Sequence, residues 1–234
     1  MSNRMQIPAG PPVLSVTFDD VIGSACDNGA RLLEAYGGRG TFYVAGALTG
    51  GQEDDKAAHT MEQLGDLCRA GHEIGSHGWA HRDYTAMRRD ELRLDLGRNT
   101  RFLTTLTGRA AVNFAYPFGR YDRQTQLQCV PRFQSCRILG DGIYRKHVDL
   151  SRLGSLRFYG AELALAAWRE ALRQIADGGW LIVNTHAVED DCGEYGCRAG
   201  DLEALLHEAR AIGCDLLPVE DMINRSRRSL AGPG

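Results

Sequence analysis

The sequence predicts an α/β fold: a single domain built on a parallel sheet with crossover helices. Two observations carry this. Short β-type runs alternate with helical patterns along the whole chain, and the helical segments are punctuated by caps and glycine stops. At 234 residues the chain suits one α/β barrel with a sizeable core. Periodicity alone permits either a closed barrel or an open doubly wound sheet.

Residues 1–12 carry no apolar signal-peptide core and are expected to form an extension before a domain at 13–224, with 225–234 as a solvated tail. The strand candidates are 13–18, 41–44, 73–76, 113–115, 135–139, 181–185 and 215–218. Thr60 and Gln63 form a capping box for a helix running to about Arg69, with Gly71 as its stop. Leu92, Leu96, Asn99, Leu103 and Leu106 recur at helical spacing on a long helix ending near Gly108. Residues 161–176 and 202–212 carry further apolar faces, stopped by Gly178-Gly179 and by Gly213. The loop-like stretches 49–58 and 187–200 lie beside or after motif-bearing strands and are expected to line a substrate groove.

Chemistry concentrates at four places. The first run ends in Asp19 and Asp20, where a buried parallel strand surfaces. His77 and His81, four apart, share one face if their segment winds into a helical turn. One Asp and two His can hold a divalent ion and leave the other Asp free as a base. Pro117 and Gly119 fix a tight backbone after residues 113–116, and a β-rich run delivers His186 at its carboxyl end. Each motif alone has an ordinary structural reading; their order and number give them weight.

Together the four resemble the motif series of the polysaccharide deacetylase family, the NodB-homology carbohydrate esterases of the family 4 type. Thr17-Phe18-Asp19-Asp20 matches the first motif, with Val21 where the family has glycine. His77 and His81 match the second, with Gly78 in place of a hydroxyl residue. Pro117, Phe118 and Gly119 match the third, with Ala115 where many members carry arginine, and His186 ends the fifth, with Asn184 in place of leucine. The segment 30–44 looks like the family's helix, glycine turn and second strand.

The resemblance implies a single-domain, distorted (β/α)7-type barrel that removes N-acetyl groups from N-acetylglucosamine-containing poly- or oligosaccharides. It implies Asp19 as base, His186 as acid, and Asp20, His77 and His81 around a divalent metal. Zinc is the first choice, with cobalt, nickel or iron as alternatives. It further suggests the Phe118 amide as oxyanion donor, Tyr116 and Trp79 as walls of the sugar site, and Asp141 and Arg152 as supports in place of a recognisable fourth motif. The alternatives are a hydrolase of the same fold acting on sugar O-acetyl esters or small amides, and a non-catalytic, metal-stabilised carbohydrate-binding domain.

A net charge of −3, with 43% hydrophobic and 24% charged residues, leaves no electrostatic footprint for nucleic acid or an anionic membrane. No stretch reaches the length of a membrane span, so a cytoplasmic protein is expected. Seven cysteines without a Cys-x-x-Cys pair suit reduced thiols, although Cys192 and Cys197 are close enough in sequence to bridge. The oligomeric state has no signature in the sequence.

Overall fold

In the computed structural model, which describes residues 3–160 and 165–231, seven parallel strands close into a barrel. They are β1 (Val13–Asp19), β2 (Thr41–Val44), β3 (Glu73–Ser76), β4 (Asn113–Ala115), β5 (Ser135–Leu139), β6 (Leu153–Arg157) and β7 (Trp180–Thr185). The seam is the pairing of β7 with β1, from Trp180 opposite Val13 to Thr185 opposite Phe18. Closure therefore decides between the two folds that periodicity allowed.

The strands alternate. Leu14, Val16, Phe18, Phe42, Val44, Leu181 and Val183 pack outward beneath the helices. The intervening Ser15, Thr17, Thr41, Asn113, Ser135, Ser155 and Asn184 are also buried. Both faces are thus covered, as a parallel barrel requires, and these polar side chains lie on the inner one. Met5, Ile7, Val13, Leu153, Trp180, Ile182 and Met222 pack together as an apolar cluster where β1, β6 and β7 begin.

The helices are α1 (Ala30–Ala35), α2 (Met61–Ala70), α3 (Arg89–Thr107), α4 (Arg123–Cys129), α5 (Leu165–Arg173), α6 (Ala199–Ala211) and α7 (Val219–Ala231). The Thr60–Gln63 capping box opens α2, and Gly71, at φ 86°, closes it. Gly108, at φ 74°, closes α3 in the same left-handed way. The start of the helix read at 161–176, residues 161–164, lies outside the described residues.

Three expectations change. The strand β6 escaped detection because Gly154 and Ser155 interrupt its apolar pattern; a Cβ on Gly154 would lie 1.9 Å from the Asp141 carbonyl oxygen, so only glycine fits. The run at 215–218 shrinks to Asp215–Leu216, which lies outside the ring beside the start of β1. Segments read as an extension and a tail are built into the fold: Arg4–Gln6 pairs antiparallel with His147–Asp149, and Arg225 and Ser226 lie on α7. There Arg225 pairs with Asp215, and the buried Ser226 hydroxyl donates to the Gln6 carbonyl at 2.7 Å. Among the described residues no helix is long and apolar enough to cross a membrane.

Candidate active site

The carboxyl ends of the barrel strands open into a cavity of about 440 Å³. Asp19, Asp20, His77, His81, Phe118 and His186 all line it, so six of the sequence-predicted positions meet in one place.

Asp20 stands at the centre of a tight turn in which the Val21 amide donates to the Asp19 carbonyl. Asp20 and Val21 both have positive φ, 60° and 61°, a costly conformation for a β-branched valine. The fully buried His59 holds this turn. Its backbone amide and its ring Nδ1 each lie 2.9 Å from the Val21 carbonyl, while Thr49 Oγ1 meets its Nε2 at 2.9 Å. Burial lowers the His59 pKa, which suits this neutral, bracing role.

His77 and His81 meet through a bend rather than the expected helical turn. Gly78 and His81 take φ of 76° and 46°. The Asp95 carboxylate accepts from the amides of Trp79 and Ala80 at 2.7 and 3.0 Å and from the Tyr84 hydroxyl at 2.6 Å. A Cβ at position 78 would lie 2.3 Å from that hydroxyl, which explains why glycine replaces the family's hydroxyl residue.

One carboxylate oxygen, Asp20 Oδ1, lies 2.9 Å from His81 Nε2 and 3.4 Å from His77 Nε2. The far ring nitrogens are taken: His77 Nδ1 faces the Ala115 carbonyl at 2.8 Å, and His81 Nδ1 faces Glu53 at 2.8 Å. With both Nδ1 atoms donating, the Nε2 lone pairs turn toward Asp20, whose Oδ1 has no well-formed hydrogen bond. One ligand atom from each of the three residues falls within 4.8 Å of the others. Converging lone pairs on two nitrogens and an oxygen fit a divalent transition metal. Burial opposes the charge on Asp20, but His77 and His81 hold its pKa well below the usual range. Burial also disfavours a charged His81, yet Asp20 and Glu53 raise its pKa to about 9, so a cation held at Nε2 would displace a proton.

Asp19 is held differently. Its Oδ2 accepts from Arg137, a fully buried guanidinium on β5, while its Oδ1 has no partner. Arg137 is the register partner of Ala115, the position where the family motif has arginine. The cation therefore reaches Asp19 from the neighbouring strand. Its other arm donates to Ser155 Oγ at 3.1 Å, which donates to Asn184 Oδ1 at 3.2 Å. A charge at an inward position of a buried strand was the signal that could have revealed Arg137.

His186 Nδ1 donates to the Tyr195 carbonyl at 3.0 Å, which leaves Nε2 facing the cavity, 3.6 Å from Asp20 Oδ2. The rings of Tyr159 and Tyr195 lie 5.7 and 5.6 Å from the imidazole. Phe118, at φ 59°, is half exposed, with its ring 4.6 Å from that of His81. Glu53, Asp54, Glu194 and Tyr195 come from the two loops expected to line a groove, and they do line the cavity.

The structure places the other four candidates elsewhere. Tyr116 is fully buried, its ring 5.0 Å from Phe114, because its position on the alternating strand end faces the helices. Trp79 packs 5.6 Å from Phe102 and beneath Arg98, turned away by the bend that joins the histidines. Asp141 is exposed, and Arg152 is exposed beside Asp149 at 3.8 Å. None of the four lines the cavity.

The barrel carries its polar, metal-ligand-bearing site at the carboxyl ends of its strands, where barrel enzymes hold their active sites. The sequence profile described as "Polysaccharide deacetylase" matches residues 6–130, more than half of the chain, and the chain belongs to that family. No curated protein sequence matches it. Similar solved structures include a protein from Mycobacterium smegmatis assigned as a polysaccharide deacetylase, with 19% identity and a TM-score of 0.69 over 95% of this chain and 92% of that one. The Xyl-CE4 domain of a multidomain xylanase from the hindgut metagenome of Trinervitermes trinervoides shares 14% identity at TM-score 0.65, covering 93% and 92%. A family 4 acetyl xylan esterase from Clostridium thermocellum, solved with a cobalt ion, shares 14% at 0.63, covering 91% of each.

Proposed function

We propose that this protein is a metal-dependent hydrolase that removes N-acetyl groups from N-acetylglucosamine-containing poly- or oligosaccharides. The observation that carries the reading is the division of labour between adjacent carboxylates. Asp20 is committed to two histidines, whereas Asp19 keeps one free oxygen facing the same cavity as His186.

Asp20, His77 and His81 would hold the ion, zinc by preference. When bound, it supplies Lewis acidity toward a carbonyl oxygen and an acidified water. Asp19 Oδ1 accepts the proton of the attacking water, while Arg137 keeps Oδ2 occupied and the carboxylate oriented. The Phe118 amide donates to the developing oxyanion. His186 Nε2 delivers a proton to the departing amine, with Nδ1 anchored on Tyr195. Amide cleavage needs that acid, and each such group contributes about 10²–10⁴-fold.

Hydrolysis of a sugar O-acetyl ester is the second reading, supported by the acetyl xylan esterase among the similar structures. Mass spectrometry of chitooligosaccharides incubated with zinc-loaded protein should show stepwise loss of acetyl units. Intact oligomers together with cleaved O-acetylated xylan would transfer the assignment to the ester. We also place the protein in a reducing, cytoplasmic compartment, supported by seven free cysteines. Thiol titration of freshly unfolded material should find all seven; a Cys192–Cys197 disulfide would overturn that placement.

A further inference from the structure

The floor of the cavity is polar where an acetyl methyl needs apolar contact. Asn184, on β7 two residues before His186, is completely buried yet lines the cavity. Its amide oxygen faces Ser155. Arg137 carries only donors, so Ser155 Oγ accepts from it at 3.1 Å, and the hydroxyl proton has Asn184 Oδ1 at 3.2 Å as its nearer acceptor and the Ile138 carbonyl at 3.4 Å as its farther one. That leaves Asn184 Nδ2 without a partner, a fully buried donor. Its register neighbour on β6, Arg157, lines the same wall with a second donor group.

On the proposed reading a polymer chain would stay at the mouth of the cavity with its amine beside His186. The acyl group is then the one part small enough to reach the floor. A methyl against Asn184 Nδ2 leaves that buried N–H unpaired, forgoing about 1–3 kcal/mol relative to a group that can accept from it. An acyl group bearing a hydroxyl would accept the bond instead.

We infer that Asn184 is a specificity residue that selects a hydroxylated acyl group, so that hydroxyacetyl (N-glycolyl) amino sugars are preferred over N-acetyl ones. The inference rests on the amide-hydrolase reading and names its substrate class. The chemistry balances as hydrolysis. Water oxygen forms the new bond to the carbonyl carbon and the C–N bond breaks; the sugar leaves as its ammonium form and the acyl group as hydroxyacetate, with no redox change.

The test compares matched N-glycolyl and N-acetyl chitooligosaccharides on wild type, Asn184→Leu and Asn184→Ala. Ratios of kcat/KM within each protein cancel any loss of folded fraction. Wild type should favour the glycolyl substrate about tenfold or more, and Asn184→Leu should reverse that preference. Equal ratios in all three proteins, or a wild type that favours acetyl, would overturn the inference. Calorimetric binding of the same oligomers gives a readout that needs no turnover. If nothing is hydrolysed but a glycolyl preference in binding disappears in Asn184→Leu, the inference stands and the hydrolase reading falls. Absence of both turnover and binding preference would end both.

Discussion

The two ends of the barrel each bury carboxylates, and they treat them in opposite ways. At the amino end, Glu73 opens β3 with every oxygen engaged. Asn113 Nδ2 donates to Oε1 at 2.6 Å; Thr41 Oγ1 and the Glu220 amide donate to Oε2 at 2.8 and 2.9 Å. Thr41 in turn accepts from the Val219 amide at 2.9 Å, so this carboxylate and its neighbour cap the start of α7. At the carboxyl end, Asp19 and Asp20 each leave Oδ1 without a hydrogen bond. Backbone strain separates the ends as well. Among the described residues, every residue other than glycine with positive φ (Asp20, Val21, Asp54, Asp55, His81 and Phe118) follows a strand's carboxyl end. A buried carboxylate with its partners complete holds the fold; one left incomplete on a strained turn is available to a ligand.

The sharpest way to break this contrast is Asp19→Asn, which keeps size but removes the basic lone pair. Turnover should fall roughly 10²-fold or more with metal content unchanged, while the buried Arg137 left without its counter-charge lowers the melting temperature. Undiminished turnover would end the base assignment. Next in effect is His81→Ala, expected to strip most of the roughly one divalent ion per chain; elemental analysis finding the variant fully loaded would refute the ligand set.

Arg137→Ala should cost about tenfold or more in turnover by freeing the Asp19 carboxylate. Because Ala115 is the register partner of Arg137, adding Ala115→Arg to that variant should recover part of the loss. Failure of the double variant to exceed the single one would show that the strand of origin matters, not only the cation.

The smallest effect belongs to Glu73, whose pKa burial raises to about 7 despite three donors. A folded-state pKa above the ordinary 4.5 means the native protein binds the proton more tightly. The resulting stability is present below about pH 4.5 and is lost as pH rises to about 7, by at most about 3 kcal/mol. Denaturant titrations of the zinc-loaded protein across that window should show the decline in wild type and a flatter profile in Glu73→Gln. Parallel profiles would remove Glu73 as its source.

Much of the carboxyl end was legible in the residues themselves. Strands end where apolar alternation ends, so Asp19, Asp20 and His186 declare their positions at β1 and β7, and Pro117 and Gly119 declare the irregular turn that carries Phe118. What failed was orientation beyond those strand ends. Tyr116 faces the helices and Trp79 faces α3 because the bend fixed by Asp95 and the pleat after β4 decide side-chain direction, and neither has a local periodic signature. Asp141 and Arg152 have no motif of their own in the sequence, and the residue paired with Asp19 is Arg137.

By itself, then, the sequence determined the alternation of strands and helices, the caps of α2 and α3, and the set of residues that surface at strand ends, since period, capping and turn chemistry act over a few neighbouring positions. Tertiary structure alone decided the closure of β7 on β1, the recruitment of Gly154 and Ser155 into β6, and the pairing of Arg137 with Asp19 across 118 positions. Such contacts depend on which strands become neighbours when the ring closes. That choice is made by burial of the whole inner and outer faces at once, and no local pattern records it.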